Sequence, residues 1–408
     1  MSRITVPPFP VDPIPPAALN DLERKYRPTG TDRAVFEHDL IEWFRREARV
    51  MPWRQTNDPY RIWISEVMLQ QTRVDQAWDY YERFVEAFPT VEALAEAPLD
   101  DVLRLWEGLG YYARARNLHR AAREVVERFG GVVPATYDAF RSLPGVGPYT
   151  AAAVLSIAYG QPHAVLDGNV ARVLARTFRV EEDVKNARTR RLLQALASEL
   201  LTPADPSAYN QALMEVGATV CTPRSPSCPA CPLHSICRAR QGGVQERYPI
   251  TASKPPIPHH DIAVGVVFNE AGEVLIQRRP ESAMLGGLWE FPGGKREPGE
   301  SLEETCRREL QEELQIEVSV EQPICRIAHA YSHFKITLYA YRCRLISGTP
   351  IAPDGTPIRW VPPAQLSEFA FPRANRRLID ILLNEQRTPS LFSSPTVASP
   401  SESRSESG

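Results

Sequence analysis

No stretch of the 408-residue sequence approaches the roughly 18 uninterrupted apolar residues of a membrane-spanning helix. The opening MSRITVPPFPVDPIPP has no apolar core followed by a small-residue cleavage site, so no secretory signal is read there and the expected compartment is the cytoplasm. The chain lacks a basic surplus as well: its formal net charge is -3, which withholds the whole-chain hint of a polyanionic partner. No internal repeat is apparent. Seven cysteines, an odd number without a secretory signal, argue against a disulfide framework.

What is present is unevenly distributed. The length implies two or three domains. Residues 1–30 are proline-rich and are expected to be poorly ordered. From about 31 to 220 apolar residues recur three to four apart, as in APLDDVLRLWEGLG and LPGVGPYTAAAVLSIAYG, which reads as helix. Residues 241–260 have the composition of a linker. After it IAVGVVFN, EVLIQRR, KITLYAYRCRL and IRWV read as strands, with one strong helix at 301–314, giving an α/β domain over 261–386. Residues 387–408 form a low-complexity tail. Arginines gather at 111–128 and 172–191 and acids between Glu297 and Glu317, so the two halves suggest different jobs, although either basic run alone could be a solvated helix face.

Four of the cysteines, Cys221, Cys228, Cys231 and Cys237, follow the spacing C-x6-C-x2-C-x5-C. Four thiolates in one short loop can wrap a tetrahedral zinc ion or a [4Fe–4S] cluster. Zinc ribbons usually show two C-x2-C knuckles and this loop has one. Its uneven spacing resembles the cluster loop of the endonuclease III and MutY glycosylases. Upstream, LPGVGPYTA (143–151) joins two helical stretches; Gly145 and Gly147 permit a tight turn whose N–H groups, with the next helix N-terminus, can seat a phosphate. It resembles the helix-hairpin-helix of the same glycosylases, with Pro148 where the family more often has a basic residue.

The resemblance covers residues 31–250 or so and implies an all-α helix-hairpin-helix glycosylase domain at 31–240, including the iron–sulfur loop 221–237. WISEVMLQQTRVDQ (63–76) resembles the family's first catalytic helix and LDGNVARVLAR (166–176) the stretch with its essential aspartate. On their own, Glu66 reads as a helix-surface carboxylate and Asp167 as a helix cap. The resemblance makes Glu66 the general acid for the departing base, with a pKa raised by burial, and Asp167 the carboxylate that stays ionised beside the sugar. Asn169 would orient Asp167 or the attacking water. Tyr149 stands where the lyases carry a Schiff-base lysine, which favours a monofunctional, water-using adenine glycosylase over a glycosylase/lyase. Gln71 and Tyr111 match residues inserted into the duplex, and Trp53 and Arg54 match an adenine pocket. The implied partner is duplex DNA with A:8-oxoguanine or A:G mispairs, bound by a monomer associated with the nucleoid.

The second half carries GGKREPGESLEETCRRELQEELQI (293–316), which fits the Nudix pattern of a MutT-like domain except for Gln315 in place of glycine. Glu309, Glu312 and Glu313 fall on one helix face and suit Mg²⁺ bound to a diphosphate. HAYSHFKITLYAY (329–341) resembles the family's lesion-recognition loop, which would set Ser332 and His333 against 8-oxoguanine. Two readings stay open for this domain, lesion recognition and hydrolysis of oxidised nucleoside triphosphates. A non-catalytic mismatch-binding role is disfavoured by the Glu66 and Asp167 pair.

Overall fold

The computed structural model describes residues 21–387 apart from 253–256, 282, 332–333 and 353–354. The chain divides into two compact units, 1–256 and 257–408.

The first unit is helical throughout its described part. Three helices start on proline, Pro59–Met68, Pro148–Tyr159 and Pro206–Thr219, where the missing N–H costs little; Asp58 and Asp205 cap two of them. Helix Pro148–Tyr159 is apolar on all sides, PYTAAAVLSIAY, and Thr150 to Ser156 are buried without a break. A helix of that composition belongs at the centre, and the helices Pro59–Met68 and Pro206–Thr219 both pack on it. Helix Gly168–Thr177 packs in turn on Pro206–Thr219, around a core that includes Phe36, Phe178 and Tyr209.

Both ends of this unit differ from expectation. Helix Asp21–Tyr26 lies within the stretch 1–30 read as an unstructured extension, because Tyr26 inserts into the core and its hydroxyl accepts from Glu181 N (3.0 Å). Residues 1–20 lie outside the described residues. The stretch read as linker is built into the helical unit as far as Ala252: Arg176 Nε donates to Tyr248 O (2.9 Å), Val184 N to Ile250 O (3.1 Å) and Ala252 N to Asp183 Oδ2 (2.9 Å). Its glycines and prolines suit a strap as well as a tether, and composition does not separate the two.

In the second unit seven described strands form one sheet: β1 (His259–Phe268), β2 (Val274–Arg278), β3 (Trp289–Glu290), β4 (Gly293–Lys295), β5 (Glu317–Ala330), β6 (Lys335–Ser347) and β7 (Ile358–Val361). The main order is β3-β2-β1-β6-β5; β4 pairs with β1 and β7 with β2, and β1 runs parallel to β6 with Ala263 opposite Tyr339. Helix Leu302–Leu314 buries Cys306, Leu310 and Leu314 on one face of the sheet. Helix Arg373–Arg387, which the sequence reading does not anticipate, buries Leu378, Ile379 and Leu382 on the other. Gly294 is glycine for a local reason: a Cβ there would come within 2.4 Å of the Glu309 carboxyl.

Helix Leu302–Leu314 opens with a Ser301–Glu304 capping box and ends with Gln315 at φ 57°, a left-handed conformation that glycine adopts freely. Gln315→Gly is therefore expected to stabilise this unit by about 1 kcal/mol. Calorimetry of the full chain should show its transition a few degrees higher.

Candidate active site

Helix Pro59–Met68 buries nearly every side chain from Tyr60 onward, and Glu66 is drawn in with them at 5% exposure. Burial pushes its carboxyl up to about 7. A 2.8 Å hydrogen bond donated by the Tyr149 hydroxyl opposes that rise, and the nearby charge of Asp167 adds to it. Tyr149 is the second residue of the central helix, so the turn that precedes this helix also sets the phenol against Glu66.

Asp167 caps helix Gly168–Thr177. Its Oδ1 accepts from Val170 N (2.7 Å) and its Oδ2 from Asn169 Nδ2 (3.2 Å). Burial raises its pKa from the ordinary value, while the Val170 and Asn169 N–H groups, Arg172 and the Asn169 side chain all favour the anion. The sequence expectation of an ionised Asp167 thus rests on donors that work against burial. Arg172 extends the set outward, donating to Asn169 Oδ1 (2.8 Å), Gly217 O (2.7 Å) and Cys221 O (2.8 Å).

Glu66, Tyr149, Asp167, Asn169, Trp53 and Arg54 line one cavity of about 140 Å³, several times what one water needs. Trp53 is held edge-to-face by Tyr81 (5.2 Å) and Trp78 (6.0 Å). Two charged lining residues, Arg49 and Glu215, escape the sequence reading. Glu215, 1% exposed, accepts from Arg49 Nε (2.6 Å) and Nη2 (2.9 Å) and from Arg54 Nη2 (2.9 Å). Burial alone would raise its carboxyl, but the two guanidiniums outweigh that and hold it below the usual range. A single glutamate in the apolar run QALMEVGATV was the available signal.

Gln71 and Tyr111 do not line this cavity; each sits on its own turn with φ of 59° and 50°. Gly145 has φ 75°, and a Cβ there would meet Asn117 Cβ at 2.6 Å; Gly147 is the N-cap of the central helix with open space before it.

The four loop cysteines line one further cavity with Arg176 and His234. Arg176 is buried, its Nη1 donating to Thr222 O (2.7 Å) and lying 3.3 Å from Cys221 Sγ. Arginines 172 and 176 of the second basic run are therefore supports of the loop, while Lys185, Arg188, Arg190 and Arg191 are exposed. Among the described residues no three His, Cys, Asp or Glu side chains converge closely enough to hold a single metal ion.

That statement also covers the acids of the second unit. Arg308 Nη1 pairs with Glu309 and Glu312 (3.0 Å each) and its Nε with Glu300 (2.6 Å), while Glu313 Oε2 accepts from Gln277 Nε2 (2.7 Å) and Gly293 N (3.3 Å). The structure does not bring Glu309, Glu312 and Glu313 together as a ready cation site. Ser332 and His333 lie outside the described residues. Of their described neighbours, Tyr331 N donates to Phe334 O (2.8 Å), and the Tyr331 ring packs on Phe334 (4.9 Å) and His329 (4.6 Å).

Residues 64–199 match the family described as HhH-GPD superfamily base excision DNA repair protein, and residues 263–380 match the NUDIX domain. The chain is 35% identical to the human adenine DNA glycosylase over 86% of its own length and 74% of that protein. It is 35% identical to the rat adenine DNA glycosylase over 92% of its length and 83% of that protein. The fission yeast adenine DNA glycosylase is 34% identical over 63% of this chain and 68% of its own.

Burial of Glu66 carries a stability cost with a definite sign. Its folded pKa, about 7, lies above its ordinary value of 4.5, so the fold binds more protons than the unfolded chain and loses stability as pH rises through that window. Glu66→Gln is expected to raise the melting temperature at pH 8, by up to about 3 kcal/mol of stability, and to change little at pH 4. Melting curves of both proteins across this range check it.

Proposed function

The chain belongs to the adenine DNA glycosylase family, base-excision repair enzymes of the MutY type with a C-terminal Nudix domain, and on that premise we propose how its residues divide the reaction. The observation that carries the reading is one cavity holding a buried carboxyl poised near neutrality and a second carboxylate fixed at a helix N-terminus.

An adenine flipped from the duplex, at a cost of a few kcal/mol, enters between Trp53 and the wall formed by Arg54 and Glu215. Glu66 donates its proton to the departing base as the bond to C1′ breaks, and the bonding pair leaves with the adenine. Asp167, on the sugar side, stabilises the cationic C1′. Two carboxyls in different protonation states are what this chemistry asks for. A water adds to C1′, its proton passes to a carboxylate, and an abasic site remains. Tyr149 offers a hydroxyl where a lyase needs an amine, so the strand is left intact.

Cys221, Cys228, Cys231 and Cys237 would hold a [4Fe–4S] cluster, whose contribution when bound is to pin the loop 221–237 against helix Gly168–Thr177. Their arrangement supports it. All four line one cavity, and their spacing has a single C-x2-C knuckle where zinc ribbons usually show two. Gly145 and Gly147 seat a DNA phosphate, and Gln71 and Tyr111 fill the space the flipped base vacates.

In the second unit we favour recognition of 8-oxoguanine by Ser332 and His333. The support is the likeness of HAYSHFKITLYAY (329–341) to the family's lesion-recognition loop. Hydrolysis of oxidised nucleoside triphosphates stands as the second reading for this unit, with Glu309, Glu312 and Glu313 as the residues that would hold Mg²⁺.

On duplex A:8-oxoguanine the purified protein is expected to release adenine without forming a borohydride-trappable adduct. Because Glu66 must be protonated, kcat/KM should fall tenfold per pH unit above about 7, and Glu66→Gln should slow single-turnover release by roughly 10²–10⁴. Retained activity in that variant would reject the assignment. Ser332→Ala together with His333→Ala should shrink the preference for A:8-oxoguanine over A:G by about tenfold, read from single-turnover rates on the two duplexes.

A further inference from the structure

Arg114 is the second residue of helix Ala113–Phe129, at the end where a cation is disfavoured by the helix dipole. Its hydrogen bonds explain the placement. The two N–H groups of Nη1 are shared among Val67 O (2.8 Å), Met68 O (2.9 Å) and Gln70 O (2.6 Å). Those of Nη2 reach Gly110 O (2.9 Å), Leu109 O (3.2 Å) and Thr72 Oγ1 (3.3 Å). The rings of Trp106 and Tyr111 flank the guanidinium at 5.3 and 5.6 Å. One planar fork thus caps the end of the helix that carries Glu66 and closes the turn bearing Gln71. It also closes the turn bearing Tyr111.

Both turns hold a non-glycine residue in the left-handed region, Gln71 at φ 59° and Tyr111 at φ 50°. Such conformations cost roughly 1–2 kcal/mol each and persist only where the surroundings impose them. We propose that Arg114 is a positioning residue that locks the Gln71 turn, the Tyr111 turn and the end of the Glu66 helix into one rigid unit, so that both side chains enter the duplex together and in register with the acid. This rests on the reading of Gln71 and Tyr111 as inserted residues. Lysine is no substitute, because a point charge with three donors does not span both turns in one plane.

The test is a set of single-turnover rates on duplex A:8-oxoguanine for Gln71→Ala, Tyr111→Ala and their combination, in the full chain and in Arg114→Lys and Arg114→Met. Flipping is followed separately by the fluorescence of 2-aminopurine in place of adenine. Arg114→Met and Arg114→Lys should both slow adenine release by roughly 10²-fold and reduce the fluorescence rise. The slowing should shrink to a few-fold when the adenine lies opposite an abasic site, where stacking and pairing cost less. In the parent chain the two wedge losses should be coupled by fivefold or more; in the Arg114 variants they should become additive within twofold.

Full activity in Arg114→Lys would overturn the proposal, since charge alone would then suffice. Equal slowing on the paired and abasic substrates would overturn it too, as a defect in chemistry. Should Arg114→Met fail to fold, the cycle in the parent chain still decides: additive losses sink the coupling. If neither wedge variant slows release, the insertion reading itself fails, and the proposal with it.

Discussion

A carboxyl group kept out of water is the constraint around which the first unit is arranged. Glu66 can stay protonated near neutrality only if Ile62, Leu69, Met214 and the central helix exclude solvent from it, and only if its one strong donor, Tyr149, does not pull it back to the ordinary range. The apolar central helix meets both demands at once, since its body fills the core and its second residue is that donor. Asp167 needs the opposite treatment. It receives a helix N-terminus, Asn169 and the nearby Arg172 charge against the same burial. Burial raises both carboxyls of the cavity, but only Asp167 is given a full set of donors that favours its anion.

Interior arginines supply the stiffness around this pair. Arg114, Arg172 and Arg176 all spend their donors mainly on backbone carbonyls of turns and helix ends, where carbonyls lack a helical partner. A guanidinium suits the task, with five donors in a fixed plane and weak hydration. Glu215 makes the reciprocal arrangement, one buried carboxylate shared by Arg49 and Arg54 in the wall of the cavity.

Spacing patterns were legible in the sequence where the chemistry is local. The C-x6-C-x2-C-x5-C loop, the LPGVGPYTA turn and the Nudix stretch each place their residues within a few turns of chain, and the resemblance they carry is the one the comparisons with known proteins bear out. Other features were not legible. The stretch 241–252 looked like a tether and is a strap, because what holds it is Arg176 and Asp183, far away in the chain. Helix Asp21–Tyr26 hid in a proline-rich region for the same reason, its Tyr26 being paid for by a distant core. Glu309 and Glu312 share a helix face, as read, and both pair with Arg308 on the same helix.

By itself, then, the sequence determined helix against strand, the two-part organisation and the family, since periodicity and short motifs are written into neighbouring residues, and through that family it singled out Glu66 and Asp167 as the candidate carboxylates. Only the tertiary structure decided which charges are buried and with whom. The pKa of Glu66, the Glu215 pair and the grip of Arg114 on two turns all depend on desolvation and on contacts between segments 40 to 160 residues apart. No local pattern encodes distances of that kind.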